Sequence, residues 1–479
     1  MSPARMYVAG EWRGADSEDE VLSPWSGEVL DTVPRASAAD VDRALAAAVE
    51  GARAMRRLTA HERLTILNRA AGLVAAAAGE LAETISREEG KPLAESRGEA
   101  GRIPDLIRLS AHEGARMHGE TVPVDSAPNA AGKLAFTLRQ PCGVVVAITP
   151  FNYPLLLVAH KVAPALASGN AVVLKPAQQT PLTALLLTRL LLEAGLPEHA
   201  IQCLTGSGSE LGPALCADER VRKISFTGST SVGREIARVA GVKRLSLELG
   251  ASCPLIVLAD ADLDQVAAAT VTGGYVNAGQ VCISVQRVLV SSPVYGDFLD
   301  ALRPRVEAIP VGDPLAEETR LAALISEGEA QRVEGVIRDA VDAGARLVTG
   351  GERDGAVVRP AVVADVRPEM AIARDELFGP AVAVSSIDDV ADAIAVANDS
   401  DYGLAAGIFT SDVTKALRFA RDVECGNVMI NATPLWRADA MPYGGLKGSG
   451  VGKEGPRYAI EEMTELKTVV FHELDREDS

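Results

Sequence analysis

An α/β fold with two parallel-sheet domains and a small extra β region is what this sequence predicts. Three observations carry that expectation. From residue 143 onward, β-branched runs alternate with helix-like segments, as in a parallel sheet covered on both faces. A second α/β rhythm starts near Ala251. The chain has 479 residues, too many for one hydrophobic core.

The elements follow in order. Ser37-Ala38-Ala39-Asp40 and Thr59-Ala60-His61-Glu62 are capping-box patterns ahead of Ala/Leu-rich segments, so the first third reads as helical. Ala71 to Ala78 is apolar, stops at Gly79-Glu80 and reads as a buried helix face. Residues 120–140 turn extended, through Thr121-Val122-Pro123-Val124 and Leu134 to Leu138. Strands are predicted over 143–149, 171–174, 201–205, 223–227 and 244–249, with helices over 155–168, 181–194, 209–216 and 230–239. Past Ala251 come a helix over 260–275, a strand over 285–291, a helix over 295–309 and a tail strand over 466–472.

Composition narrows the function. A net charge of -18 argues against nucleic acid, whose partners usually present a basic face. Six scattered cysteines without a CxxC pair suit reduced thiols in a cytoplasmic protein. The first residues, Met1-Ser2-Pro3-Ala4-Arg5, lack the apolar core of a signal peptide, and no run is long enough to span a bilayer. His112-Glu113 and His118 are spaced six apart rather than four, so they do not form a zinc pair on one helix face. No metal is expected.

The chemistry centres on Cys282, in Asn277-Ala278-Gly279-Gln280-Val281-Cys282. Asn152, in Pro150-Phe151-Asn152-Tyr153-Pro154, offers an amide. Glu248, in Leu247-Glu248-Leu249-Gly250, offers a carboxylate. A thiol, an oxyanion donor and a base are the parts for covalent work on a carbonyl. Two turns at predicted strand ends have helix starts behind them, where phosphate is favoured. One holds Gly206, Gly208 and Gly212, with its third glycine one residue late for GxGxxG; a plain turn is the alternative. The other is Phe226-Thr227-Gly228-Ser229, which by itself also fits a helix cap. Lys175-Pro176 ends a strand at the same sheet edge.

Together these residues resemble the aldehyde dehydrogenase superfamily, from about residue 6 to 472. The motifs are Thr149-Pro150-Phe151-Asn152-Tyr153-Pro154, Phe226-Thr227-Gly228-Ser229-Thr230, Leu247-Glu248-Leu249-Gly250, Gly279-Gln280-Val281-Cys282, Glu376-Leu377-Phe378-Gly379-Pro380 and Pro442-Tyr443-Gly444-Gly445. The resemblance implies two Rossmann-like domains: a dinucleotide-binding domain over 1–119 and 141–249, and a catalytic domain over 250–455. It also implies an oligomerisation region over 120–140 and 456–479, in a homodimer or homotetramer. NAD or NADP would meet Thr149, Pro150, Phe151, Lys175, Gln178, Gly208, Gly212, Phe226, Gly228, Ser229, Leu249, Gly250, Glu376 and Phe378. Glu376 would hold the nicotinamide ribose, with Phe378 packed nearby. Cys282 would form a thiohemiacetal and then a thioester, with Asn152 holding the oxyanion and Glu248 activating the hydrolytic water. Members that transfer the acyl group to coenzyme A generally lack this glutamate.

Gln178 stands where NAD-preferring members often carry Glu; it removes repulsion of a 2′-phosphate, so both cofactors are expected. The substrate pocket is assigned to Arg102, Tyr153, Val281, Arg437 and Tyr443. Arg437 offers a planar fork for an anion, which suggests a small polar or anionic aldehyde such as a phosphonate aldehyde, lactaldehyde or glyceraldehyde-3-phosphate. Val281 departs from phosphate-binding relatives, which often have Arg there. An interdomain salt bridge is the plain alternative for Arg437, and His160-Lys161 could add charge or lie on a helix surface. Cys142, Cys203, Cys216, Cys253 and Cys425 are read as packing residues. The other functions to weigh are a broad-specificity or apolar aldehyde dehydrogenase and a non-catalytic protein on this fold.

Overall fold

The computed structural model describes residues 4–472. The expectations at Met1 to Pro3 and over 473–479 therefore lie outside the described residues. Two sheets organise the chain. The first has eight strands in the order Glu11–Arg13, Met6–Val8, Ile201–Cys203, Ala171–Lys175, Val144–Ile148, Val221–Thr227, Arg244–Glu248, Gly450–Val451. Its five central strands are parallel. In chain order they run third, second, first, fourth, fifth. The order reverses between Val144–Ile148 and Val221–Thr227, and ligands of such sheets sit beyond the carboxyl ends at that reversal.

Every residue of Val144–Ile148 is buried, because alternate side chains feed two different cores. Val145 and Ala147 pack with Val158 and Val162 of helix Leu156–Ala167. Val144, Val146 and Ile148 pack with Ala44 and Leu45 of helix Ala38–Arg57. That double burial explains why the strand reads as continuously apolar rather than alternating.

The second sheet has seven strands, in the order Arg346–Thr349, Ala361–Ala364, Ala381–Ile387, Val285–Ser291, Cys253–Val257, Ala405–Phe409, Asn427–Ile430. The chain leaves the carboxyl end of one sheet at Glu248 and enters the amino end of the other at Cys253. The two edges that carry chemistry are thereby brought face to face. A third, antiparallel sheet joins Thr464–Phe471 to Leu134–Pro141 and Thr121–Val122. It leaves Leu134, Leu138, Leu466, Val470 and Phe471 exposed.

Helix Thr230–Val239 and strand Val285–Ser291 have the expected bounds. Both capping boxes form, Ser37 with Asp40 and Thr59 with Glu62. The start of the chain differs from expectation. Four strands precede the first helix, and Met6–Val8 and Glu11–Arg13 add antiparallel edges to the first sheet. Three-residue strands are too short to show alternation. The Ala71 to Ala78 run is also not one face: a helix ends at Ala76, the next starts at Ala78, and the axis bends by 68°. Among the described residues no single helix is long and apolar enough to cross a membrane.

Candidate active site

A cleft of about 650 Å³ lies at the sheet reversal, where the two edges meet. It brings together ten of the expected residues: Pro150, Phe151, Asn152, Gly228, Ser229, Leu249, Gly250, Cys282, Glu376 and Phe378. Phe151 and Phe378 meet edge-on, with ring centroids 5.9 Å apart. Thr227, Thr230, Arg234, Gln280 and Arg332 also line the cleft, and sequence reasoning missed them as ligand contacts. For Thr227 and Thr230 the signal was present, since they flank Gly228-Ser229.

Cys282 sits just ahead of strand Val285–Ser291, after a bent segment. Asn277 and Ala278 hold left-handed backbone at φ 50 and 52, which costs roughly 1–2 kcal/mol for each non-glycine residue. Gly279 follows at φ +73, and a Cβ there would lie 2.1 Å from the Gly379 carbonyl oxygen. Only glycine fits. The Cys282 Sγ lies 2.9 Å from the Tyr443 hydroxyl. Burial pushes its thiol up to about 12, against the Tyr443 contact, which lowers it. Cys282 is therefore a protonated thiol in the free protein. Asn152 is buried beside it and donates from Nδ2 to the Gln280 carbonyl at 2.7 Å. Its second amide hydrogen remains for another acceptor. Cys253, expected as packing alone, donates to the Cys282 carbonyl oxygen at 3.5 Å.

Glu248 is buried and neither carboxyl oxygen has a hydrogen-bond partner. Burial, then the nearby Glu454, raises it well above the ordinary carboxyl range. Gly444 makes room for it, since a Cβ there would lie 2.7 Å from Glu248 Oε1.

Behind Tyr443 is a cluster of charge. The Arg437 guanidinium lies 3.8 Å above the Tyr443 ring centroid and donates to Glu454 Oε2 at 3.2 Å. Its Nε is buried without a partner. Lys161 donates to Glu454 Oε1 at 2.8 Å. Burial would raise Glu454, but Lys161, Arg437 and His160 outweigh it and hold the carboxylate ionised. His160 Nε2 lies 3.3 Å from Asp439 Oδ1, and Arg102 donates to the same oxygen at 2.7 Å. Neither His160 nor Lys161 is a surface residue; both are buried at 1% exposure. The helix that carries them, Leu156–Ala167, is buried along its whole length. Tyr153 and Val281 pack in one cluster with Tyr443.

The remaining expected residues lie at or under the first sheet's edge. Lys175 is buried and donates to the Pro176 carbonyl at 2.9 Å. A Cβ on Gly208 would meet its Nζ at 3.6 Å. Burial lowers Lys175 to about 8. Gln178 follows in the turn, half-buried. Gly212 lies inside helix Gly208–Ala217, with open space around it. Phe226 is buried under Gly228, and a Cβ on that glycine would meet its ring at 2.5 Å.

The walls around the sheet reversal are polar. The Thr149 and Thr227 hydroxyls are buried at the sheet reversal without partners. Glu376 accepts from the Ala251 backbone at 3.0 Å, and burial raises it to about 7. Unpaired hydroxyls, a helix start and a carboxylate suit the diphosphate and ribose of a dinucleotide.

Residues 12–469 match the Aldehyde dehydrogenase family. The chain is 44% identical to a 3-sulfolactaldehyde dehydrogenase of Priestia aryabhattai, over 98% of each. It is 37% identical to a lactaldehyde dehydrogenase of Methanococcus aeolicus, over 98% of this chain and 100% of the other. The structure of an NADP-dependent glyceraldehyde-3-phosphate dehydrogenase from Bacillus halodurans, complexed with NADP, superimposes with a TM-score of 0.96. That protein is 36% identical, with 98% of this chain and 99% of that one covered. A thiol, an amide and a carboxyl gathered at the reversal of a dinucleotide-type sheet thus have a family to go with them: this chain belongs to the aldehyde dehydrogenase family.

Proposed function

We propose that this NAD(P)-dependent aldehyde dehydrogenase oxidises a small anionic aldehyde, a short chain ending in a sulfonate, phosphonate or phosphate, to its carboxylic acid. The observation that carries the substrate class is Arg437: a buried guanidinium with an unpaired Nε, stacked on the ring whose hydroxyl touches Cys282. An anion there would place a carbonyl a few bonds away within reach of the sulfur. Arg102 and His160 both meet Asp439 Oδ1 beside it. The relatives named for sulfolactaldehyde and lactaldehyde support this size.

The residues then divide the work. The Cys282 sulfur attacks the aldehyde carbon once its proton has left. Tyr443 donates to the thiolate. The Asn152 amide and the Cys282 backbone N–H stabilise the oxyanion, as donors aimed where charge develops. NAD or NADP, when bound, accepts the hydride. Glu376 and Phe378 would hold the nicotinamide half, the Thr227 to Ser229 turn the diphosphate, and Lys175 and Gln178 the adenosine half. Glu248, whose carboxyl burial raises well above the ordinary range, takes a proton from water when ionised and so releases the acid from the thioester. The domain reading goes with this: residues 1–119 and 141–249 bind the dinucleotide, and 250–455 carry Cys282. Residues 120–140 with 456–472 would pair between subunits, which would cover the exposed Leu466 and Val470.

Initial rates with 3-sulfolactaldehyde, glyceraldehyde-3-phosphate, lactaldehyde and propanal test the proposal. Charged aldehydes should lead in kcat/KM by tenfold or more, and Arg437→Met should remove the lead. A profile that favours propanal refutes the anion pocket and leaves the dehydrogenase standing.

A further inference from the structure

Beneath the Asn152 turn lies a second charged cluster, and the chemistry described above does not use it. Lys91 is 1% exposed and Glu99 3%. The Lys91 ammonium donates to Glu99 Oε2 and to the Asn152 backbone carbonyl, both at 2.6 Å. It also lies 3.8 Å over the Tyr153 ring. Glu99 Oε1 accepts from the Leu155 and Leu156 backbone N–H groups at 3.0 and 2.9 Å. The turn that carries Asn152 is thus fixed at both ends.

The same cluster holds the nucleophile's segment. The Asn277 backbone N–H donates to Glu95 Oε2 at 2.8 Å. Its side-chain amide donates to Glu89 Oε1 at 2.8 Å and to the Asn152 carbonyl at 3.2 Å. Asn277 and Ala278 are the two left-handed residues that lead into Cys282. Asn152 Nδ2 closes the ring by donating to Gln280.

We infer that Glu95, Glu89 and Lys91 are positioning residues. They fix the Asn152 amide and the Cys282 backbone N–H relative to each other, and so set the geometry of the oxyanion site. The inference rests on the proposed roles of Asn152 and Cys282. Glu95 stands four residues after Lys91 and does not line the cleft. Its effect must pass through the Asn277 backbone. Such a shift matters because a misplacement of about 1 Å remote from the chemistry can cost on the order of a hundredfold in rate.

The test is the single-turnover rate of NADPH formation per alkylatable Cys282 thiol in Glu95→Ala and Glu95→Gln. Glu95→Ala removes the acceptor for Asn277 N–H; Glu95→Gln keeps a carbonyl oxygen in its place. The expected result is a 10- to 100-fold fall in Glu95→Ala with aldehyde KM within threefold, and recovery to within threefold of the parent in Glu95→Gln. An unchanged rate per thiol in Glu95→Ala overturns the inference, as does an equal loss in both variants or a change confined to KM. If Glu95→Ala fails to fold, Asn277→Gly serves instead: it tolerates the left-handed backbone and deletes the amide that bridges Glu89 and Asn152, and the same fall is expected, its absence being the overturning result. Asn152→Ala separates the two levels. If it leaves the rate intact, the oxyanion role itself is wrong; if it slows the reaction while Glu95→Ala does not, only the positioning inference fails.

Discussion

Cofactor affinity should depend steeply on pH through Glu376. In the free protein burial raises this carboxyl from 4.5 to about 7. At about 1.4 kcal/mol per pH unit, holding it ionised at pH 7 or above destabilises the empty cleft by about 3 kcal/mol. The sign follows directly. Below 4.5 there is no penalty, it grows as pH rises, and it is complete above 7. Ribose hydroxyls that donate to the carboxylate favour the ionised form, so binding expels the proton. Affinity for NAD should then rise about tenfold per pH unit from 5 to 7, roughly a hundredfold in all, and level off above 7. Lys175, lowered to about 8, adds a decline above pH 8 if its charged form meets the cofactor. NAD is the better probe because its diphosphate does not titrate in this range. Isothermal titration at pH 6 in two buffers of different ionisation enthalpy should show about one proton released. Glu376→Gln should bind with a pH-independent Kd between 5 and 7 and release none. A flat Kd in the parent protein, or the same slope in Glu376→Gln, refutes the reasoning.

Three further outcomes are expected. With the Cys282 thiol at about 12, iodoacetamide should alkylate the cofactor-free enzyme about tenfold faster per pH unit from 7 to 9; a plateau in that window would show a thiolate already formed. Gly444→Ala places a methyl 2.6 Å from the Gly452 carbonyl oxygen and 2.7 Å from Glu248 Oε1, so the first-turnover burst of NADPH should persist while steady-state turnover falls at least tenfold. Burst and steady state falling together would place the damage elsewhere. Gln178→Glu should weaken NADP at least tenfold through repulsion of the 2′-phosphate and leave NAD within threefold; equal effects on both cofactors would remove Gln178 from the ribose site.

Much of the catalytic edge was legible because its signals are local. A β-branched run followed by a small-residue turn marks Val144–Ile148 and Thr149, or Val221–Thr227 and Gly228, without knowledge of the rest of the chain. Cys282 and Asn152 stand in local patterns of the same kind, and the cleft gathers both. What stayed hidden depends on pairings across long separations. Lys161 left two readings open, added charge or helix surface, until Glu454, 293 residues away, met it in the interior. Arg102 gave no sign that Asp439, 337 residues away, would hold it. Lys91 and Glu95 sit in a stretch that reads as ordinary helix, and only the fold places them under Asn152 and Asn277. The short strands Met6–Val8 and Glu11–Arg13 were missed because three residues carry no periodicity.

The stack of guanidinium, phenol and sulfur formed by Arg437, Tyr443 and Cys282 ties recognition to reactivity. The group proposed to choose the substrate and the group proposed to attack it share one aromatic ring as a common wall. A substitution made to retune selectivity at position 437 will also move the phenol, and with it the ease with which the sulfur loses its proton. Selectivity and rate in this pocket are therefore not independent dials. A redesign for neutral aldehydes would do better to leave Arg437 and Tyr443 in place and work from Arg102 and Asp439, which the nucleophile does not touch.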